Sequence, residues 1–96
     1  MATLTEAELR AALNDLEGWE GVGSALRKEF VFNGFREAIA FVNRVAERAE
    51  AANHHPDIEI HYHRVGISLS THDEGGITSK DVALAGELEA AASEEA

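Results

Sequence analysis

All five histidines of this 96-residue chain lie between positions 54 and 72. Histidine is the only side chain whose unperturbed pKa lies near neutrality, so it can both donate and accept protons under ordinary conditions. Clustered histidines therefore predict acid–base chemistry, although composition alone does not name the reaction. The members of the cluster are His54, His55, His61, His63 and His72.

Other common chemistries lack the residues that they need. The sequence contains no cysteine, which excludes disulfides, thiolate nucleophiles, iron–sulfur clusters and cysteine-ligated zinc. It also contains no GxSxG elbow, phosphate-binding glycine loop or dinucleotide fingerprint. A metal could be bound by His61, His63 and Glu59 on one face of a strand, but a solvated strand face explains these residues equally well. We therefore expect no metal site.

The charge balance restricts the partners of the chain. Eight Lys and Arg residues oppose eighteen Asp and Glu residues, which gives a formal net charge of −10. Because no basic stripe is present to neutralise phosphates, we expect no direct contact with nucleic acid or with an anionic membrane. The N-terminus lacks a basic region followed by an apolar stretch, and no run approaches the roughly 20 apolar residues of a membrane span. We expect a cytoplasmic protein.

Two helices are predicted from the residues that begin them. Thr5 and Glu8 have the spacing of a capping box, in which each side chain bonds the other residue's backbone N–H, and Gly18 is the predicted end of this helix. Thr78 and Asp81 have the same spacing and predict the start of the last helix. The small, acidic residues 90–96 are expected to fray.

Between these helices the apolar pattern changes its period. Alternating residues predict a strand over Leu26–Phe32, with Lys28 as an exception, and residues 19–24 can form a short strand or turn before it. An apolar stripe from Phe35 to Ala49 repeats at helical spacing and predicts the longest helix. Pro56 prevents this helix from continuing, so the adjacent His54 and His55 lie where it becomes extended chain.

Two further strands, Ile58–Tyr62 and Val65–Leu69, alternate in the same way. If residues 63 and 64 form a two-residue hairpin turn, every apolar residue of the pair faces one side. Extended beyond the strands, this register places His55 opposite His72. The sequence therefore predicts that histidines meet at one end of the hairpin.

The whole pattern predicts one α+β domain over residues 1–96. Hydrophobic residues make up 45% of the chain, which is enough to close one core, and the length is too short for two. The predicted order is helix, one or two strands, helix, strand, strand, helix. We expect an antiparallel β-sheet with the helices packed on one face.

Several segments together carry a family resemblance. They are Asn53-His54-His55-Pro56-Asp57, Tyr62-His63-Arg64-Val65, Leu69-Ser70-Thr71-His72 and Gly75-Gly76-Ile77-Thr78 with Asp81. In these segments and their spacing the chain resembles the pterin-4a-carbinolamine dehydratases, and the likeness covers nearly all of it.

The resemblance implies an activity. Members of this family are hydro-lyases that dehydrate 4a-hydroxytetrahydropterins to quinonoid dihydropterins, which recycles the tetrahydrobiopterin-type cofactor of aromatic amino acid hydroxylases. They need no metal or cofactor of their own. By resemblance, His54 and His72 are general acids that serve the two faces of the pterin, and His55 chiefly binds and orients the substrate.

The resemblance also implies a substrate pocket. Asn53, Ser70, Thr71 and Asp73 match positions that line the ring. Asp81 matches a position that supports the site, although its role as a helix-capping residue explains it equally well.

Partners follow from the same resemblance. A homodimer or homotetramer is expected, because a sheet this small has edges that need cover. An aromatic amino acid hydroxylase or Rubisco is a possible client. The alternative to an enzyme is a non-catalytic binding module, such as a Rubisco assembly chaperone, and the intact His54, His55 and His72 favour the enzyme.

Overall fold

A computed structural model of the protein describes residues 2–94, and its elements follow the predicted order. The elements are α1 (Glu6–Leu13), β1 (Glu20–Val22), β2 (Ala25–Val31), α2 (Phe35–Ala52), β3 (Asp57–His61), β4 (Arg64–Leu69), a short 3₁₀ helix (His72–Glu74) and α3 (Ser79–Ser93). The predicted α+β class is confirmed. The domain predicted over residues 1–96 includes positions 1, 95 and 96, which lie outside the described residues.

The four strands form one antiparallel sheet in the order β1-β2-β4-β3. Helices α2 and α3 pack against each other and against the central strands β2 and β4. The apolar side chains of these two strands form the floor of the core, and they are Leu26, Phe30, Val65, Ile67 and Leu69. Within residues 2–94 no helix has the length and apolar character of a membrane span.

The exception in the pattern of β2, Lys28, is explained by an ion pair at the edge of the core. Its ammonium group contacts the carboxylate of Glu89 on α3 and donates to the carbonyl oxygen of Glu17 at 2.9 Å. It also lies 4.7 Å from the ring centroid of Phe30. The indole of Trp19 donates to the same Glu89 carboxylate at 2.8 Å. A lysine is tolerated on the core side of the strand because its charged end is fully engaged there.

The predicted hairpin register is wrong by two residues. Ile60 pairs with Val65, so the turn is formed by Tyr62 and His63 and not by residues 63 and 64. A shift of two residues keeps every side chain on its face, so alternation alone cannot distinguish the two registers. The backbone around the turn distinguishes the two registers. Tyr62 adopts a left-handed φ of 55°, and the carbonyl of His63 accepts a hydrogen bond from the Phe32 N–H at 2.8 Å.

Both predicted capping boxes are confirmed, but the predicted end of the first helix is wrong. Helix α1 ends at Leu13, and the chain continues in tight turns with hydrogen bonds between residues three apart. Leu16 bonds back to Leu13, and Trp19 bonds back to Leu16, both at 3.1 Å. These turns bury Leu16 and Trp19 in the core.

Residues 90–93, part of the segment expected to fray, are helical in the structure. Helix α3 continues to Ser93, and two arginines of α2 hydrogen-bond carbonyl groups in its second half. Arg44 Nε donates to the Ala91 carbonyl at 2.9 Å, and Arg48 donates to the Glu87 carbonyl at 3.1 Å and contacts the Glu94 carboxylate. Residues 95 and 96 lie outside the described part of the chain.

Two phenylalanines of α2 provide a test of this packing. Phe41 is fully buried, with its ring centroid 4.8 Å from that of Phe30 and 4.9 Å from that of Phe32, whereas Phe35 is 52% exposed. We expect Phe41→Ala to lower the free energy of unfolding by about 3–5 kcal/mol, because it removes a buried ring and leaves a cavity. The control Phe35→Ala should cost about 1 kcal/mol or less.

Urea unfolding followed by Trp19 fluorescence measures both values. If Phe35→Ala lowered the free energy of unfolding as much as Phe41→Ala, the exposure of Phe35 in the single chain would be contradicted, since such a loss requires a buried ring.

Candidate active site

A cavity of about 360 Å³ opens at the end of the sheet where α2 and β4 finish. Its volume lies in the range of small-molecule sites. The residues that line it are Asn53, His54, His55, Ser70, Thr71, His72, Asp73 and Lys80. All of them except Lys80 are candidate site residues from the sequence. The remaining candidate, Asp81, lies beneath the cavity and is fully buried.

The C-terminus of α2 fixes the first two histidines. Asn53 ends the helix in the left-handed conformation, with φ 50° and ψ 43°, which asparagine adopts more readily than most residues. The N–H of His54 then bonds to the Ala49 carbonyl at 3.1 Å. Pro56 follows His55 and cannot extend the helix. Both histidines therefore leave the helix in defined directions.

A buried carboxylate holds the ring of His54. His54 Nε2 lies 2.6 Å from Asp81 Oδ1, and the His54 side chain is only 13% exposed. Because a carboxylate only accepts hydrogen bonds, the proton of a neutral His54 is on Nε2. This arrangement leaves Nδ1 as the nitrogen that can exchange a proton with a ligand.

The other oxygen of Asp81 is also fully engaged. Asp81 Oδ2 accepts from the hydroxyl of Thr71 at 2.9 Å and from the backbone N–H of Thr78 at 2.8 Å. Since Thr71 donates to Asp81, the Thr78 hydroxyl must donate to Thr71 Oγ1, 2.8 Å away. Asp81 therefore has both of the roles that the sequence left open. Its Oδ2 caps the N-terminus of α3, and its Oδ1 holds the ring of His54.

His55 lies at the mouth of the cavity and has a different partner. Its Nε2 is 2.6 Å from Glu50 Oε2, and the two side chains are 59% and 77% exposed. Such an exposed contact orients a ring but adds little stability. Sequence reasoning missed Glu50, because its pairing spans the helix end and follows no helical spacing.

His72 reaches the cavity by another route than the predicted one. Extending the observed ladder, in which Asp57 pairs with Ser68, places His55 level with Ser70 and not with His72. The short 3₁₀ helix carries His72 back over the cavity and closes at Gly75, whose N–H bonds to the His72 carbonyl at 3.1 Å. The His72 ring makes no hydrogen bond within residues 2–94.

His61 and His63 lie at the opposite end of the hairpin. His61 Nε2 is 3.9 Å from Glu59 Oε2, and His63 belongs to the turn, where its Nδ1 is buried without a partner. His63 lies in the turn, as the predicted hairpin has it, but β3 ends at His61, so His63 does not share a strand face with His61 and Glu59. Within residues 2–94, no group of three or more His, Asp or Glu side chains is placed to hold a metal ion.

Comparison with known sequences gives one family. The family model described as pterin 4 alpha carbinolamine dehydratase matches residues 2–91. Two relatives carry names that provisionally assign the same activity. The protein from Thermomicrobium roseum is 56% identical over 88 residues, covering 92% of this chain and 95% of its own. The protein from Sulfurisphaera tokodaii is 46% identical over 89 residues, covering 93% and 96%.

Two solved structures are similar as well. A transcriptional coactivator/pterin dehydratase from Brucella melitensis superposes with a TM-score of 0.90 at 38% identity, covering 94% of this chain and 98% of its own. A pterin dehydratase-like protein identified as a RuBisCO assembly factor in the alpha-carboxysome has a TM-score of 0.66 at 24% identity, covering 80% and 89%. At that identity the second likeness concerns the fold alone.

The contact between His54 and Asp81 predicts a tautomer that can be measured directly. Nitrogen-15 NMR of neutral His54 should place its proton on Nε2. In Asp81→Asn, the amide oxygen is needed by the two threonine donors, so the amide NH₂ must face His54 and the proton should move to Nδ1.

The matched control is Asp73→Asn, which makes the same change in an exposed residue of the cavity rim and should leave the tautomer unchanged. A proton on Nδ1 in the unmodified protein would contradict the contact.

Proposed function

The chain belongs to the pterin 4 alpha carbinolamine dehydratase family, and on this basis we propose that it removes water from 4a-hydroxytetrahydropterins to give quinonoid dihydropterins. The observation that carries the proposal is the His54–Asp81 pair, which lies beneath a cavity that His55 and His72 also line. The protein would act as a hydro-lyase in the cytoplasm.

The reaction needs an acid and then a base. The C4a–O bond breaks, the departing oxygen takes a proton and leaves as water, and the N5 lone pair forms a double bond to C4a. A ring N–H proton is then lost, which completes the removal of water. Histidine suits both steps, because one imidazole can give a proton and later accept one.

His54 has the surroundings of such a group. In its cationic form it donates from Nδ1 to the departing oxygen, while the Asp81 carboxylate stabilises the positive charge through Nε2. The neutral ring that remains keeps its proton on Nε2, so Nδ1 accepts the ring proton of the substrate. Asp81 is a positioning residue in this scheme, and no proton moves onto it.

His72 would serve the other face of the substrate. The hydroxyl at C4a can lie on either side of the pterin ring, and His72 comes from a different element than His54. Its ring is exposed, and no carboxylate of residues 2–94 holds it, so we expect its proton transfer to be less strongly supported than that of His54. His55, oriented by Glu50, would bind the ring at the mouth of the cavity.

The remaining lining residues divide into two roles. Asn53 and Asp73 would hydrogen-bond the ring, and Ser70, whose hydroxyl donates to the Ser24 carbonyl at 2.9 Å, would accept a hydrogen bond from it. Thr71 has its hydroxyl engaged by Asp81 and Thr78, and its backbone N–H bonds to the Gly76 carbonyl at 2.9 Å. We therefore assign Thr71 to holding Asp81 rather than to direct contact with the substrate.

A binding module is the second candidate, motivated by the fold shared with the RuBisCO assembly factor. Such a module would have Rubisco as its client, whereas the enzyme would serve an aromatic amino acid hydroxylase. A module needs no buried carboxylate beneath a histidine, so the His54–Asp81 pair favours the enzyme.

We also propose that the protein is a homodimer or homotetramer. Strands β1 and β3 are the uncovered edges of the sheet. Large apolar side chains also remain exposed on the single chain at these edges and at the hairpin tip, among them Val22, Ile60 and Tyr62. An edge and an apolar patch of this kind are usually covered in a small β-containing protein.

Stopped-flow decay of the carbinolamine absorbance, measured for each stereoisomer, tests the activity. We expect His54→Ala and His72→Ala each to slow mainly one stereoisomer, and the double variant to lose at least about 10²- to 10⁴-fold on both. The control His61→Ala changes a histidine remote from the cavity and should change little. A wild-type rate equal to the uncatalysed rate would favour the binding module.

Light scattering tests the assembly. At micromolar concentration we expect a mass that is two or four times the 10.4 kDa of one chain. A mass of one chain would contradict the proposal, and the stopped-flow result would stand independently of it.

A further inference from the structure

Lys80 is the one lining residue of the cavity that no candidate role accounts for. Of the eight basic residues, five contact carboxylates, and these are Arg27, Lys28, Arg44, Arg48 and Arg64. Within residues 2–94, Arg10, Arg36 and Lys80 have no carboxylate at ion-pair distance. Among these three, Lys80 alone lines the cavity with the histidines.

The first turn of α3 fixes where Lys80 starts. Its backbone N–H donates to Thr78 Oγ1 at 3.2 Å, and the next residue, Asp81, turns inward to His54. Lys80 itself is exposed at the rim. The buried network therefore holds the base of the lysine, while its ammonium group remains free to meet a ligand.

The proposed chemistry leaves this cation unused. Dehydration takes its protons from histidines, and the 4a-hydroxytetrahydropterin ring is uncharged. Its amino and N–H groups are donors that suit Asp73, the carboxylate of the rim. A fixed positive charge is therefore available for a part of the substrate that does not react, namely the side chain carried by the ring.

Charge and shape indicate what that side chain carries. A cavity of about 360 Å³ is large enough for the bicyclic ring, and its opening to solvent leaves room for the ring's substituent to cross the rim. The chain as a whole has a net charge of −10 and repels anions at long range, so attraction for an anion must be local. Lys80 supplies such a local charge.

We propose that Lys80 makes the site select 4a-hydroxytetrahydropterins whose side chain ends in a phosphate or carboxylate over those with a neutral side chain. This inference rests on the proposed dehydratase function. Lys80 is a specificity-determining residue in it and takes no part in the proton transfers.

The test compares kcat/KM for three substrates that carry a methyl, a carboxylate-ended and a phosphate-ended side chain. We expect the wild type to prefer at least one anionic substrate over the methyl substrate by about fivefold to tenfold, the usual scale of one partly exposed charge-assisted contact. Lys80→Met should bring this ratio close to one, and Lys80→Glu should invert it. The ratio between the two anionic substrates identifies which anion the site takes.

Arg36→Met is the matched control, since it removes another unpaired exposed cation outside the cavity and should keep the wild-type ratio. A wild-type ratio of one for both anions would overturn the inference, as would an equal fall in Lys80→Met and Arg36→Met. If no substrate is turned over, the dehydratase proposal fails, and equilibrium dialysis of the corresponding 7,8-dihydropterins measures the same ratios as affinities.

Discussion

A carboxylate with no exposure to water needs a partner for each oxygen, and in this protein that requirement falls on Asp81. Its partners come from separate parts of the chain: the N-terminus of α3, Thr71 after β4, and His54 after α2. None of the three segments can move away without leaving a buried charge uncompensated. The interaction that stabilises the fold at this point therefore also sets the direction of the histidine ring.

The two parts of this network differ in how far the sequence predicts them. The capping box of Thr78 and Asp81 is a local pattern, because both of its bonds join residues three positions apart. The contact with His54 joins residues 27 positions apart, and no periodicity indicates it. The sequence indicated Asp81 as a supporting residue of the site only through family resemblance. The side-chain geometry shows how one aspartate can both cap α3 and hold His54.

Other features that the sequence did not predict were missed for equally definite physical reasons. Alternation fixed the faces of β3 and β4 but not their register, which depends on the backbone of Tyr62. The capping box of Thr5 and Glu8 fixed the start of α1, but Gly18 did not mark its end, because tight turns can also bury Leu16. Glu50 and Lys80 are exposed charged residues of the kind that most surfaces carry. Only the contact of Glu50 with His55, and the place of Lys80 in the cavity wall, distinguish them.

The contacts between α2 and α3 constrain how the chain can vary in length. The two helices run antiparallel, with Arg48 beside Glu87 and His54 beside Asp81, so the spans Arg48–His54 and Asp81–Glu87 are equal in length. Inserting one residue into either helical span would rotate everything beyond it by about 100° and shift it by about 1.5 Å. Insertions and deletions that preserve the site are therefore confined to places outside these spans, such as the tip of the hairpin.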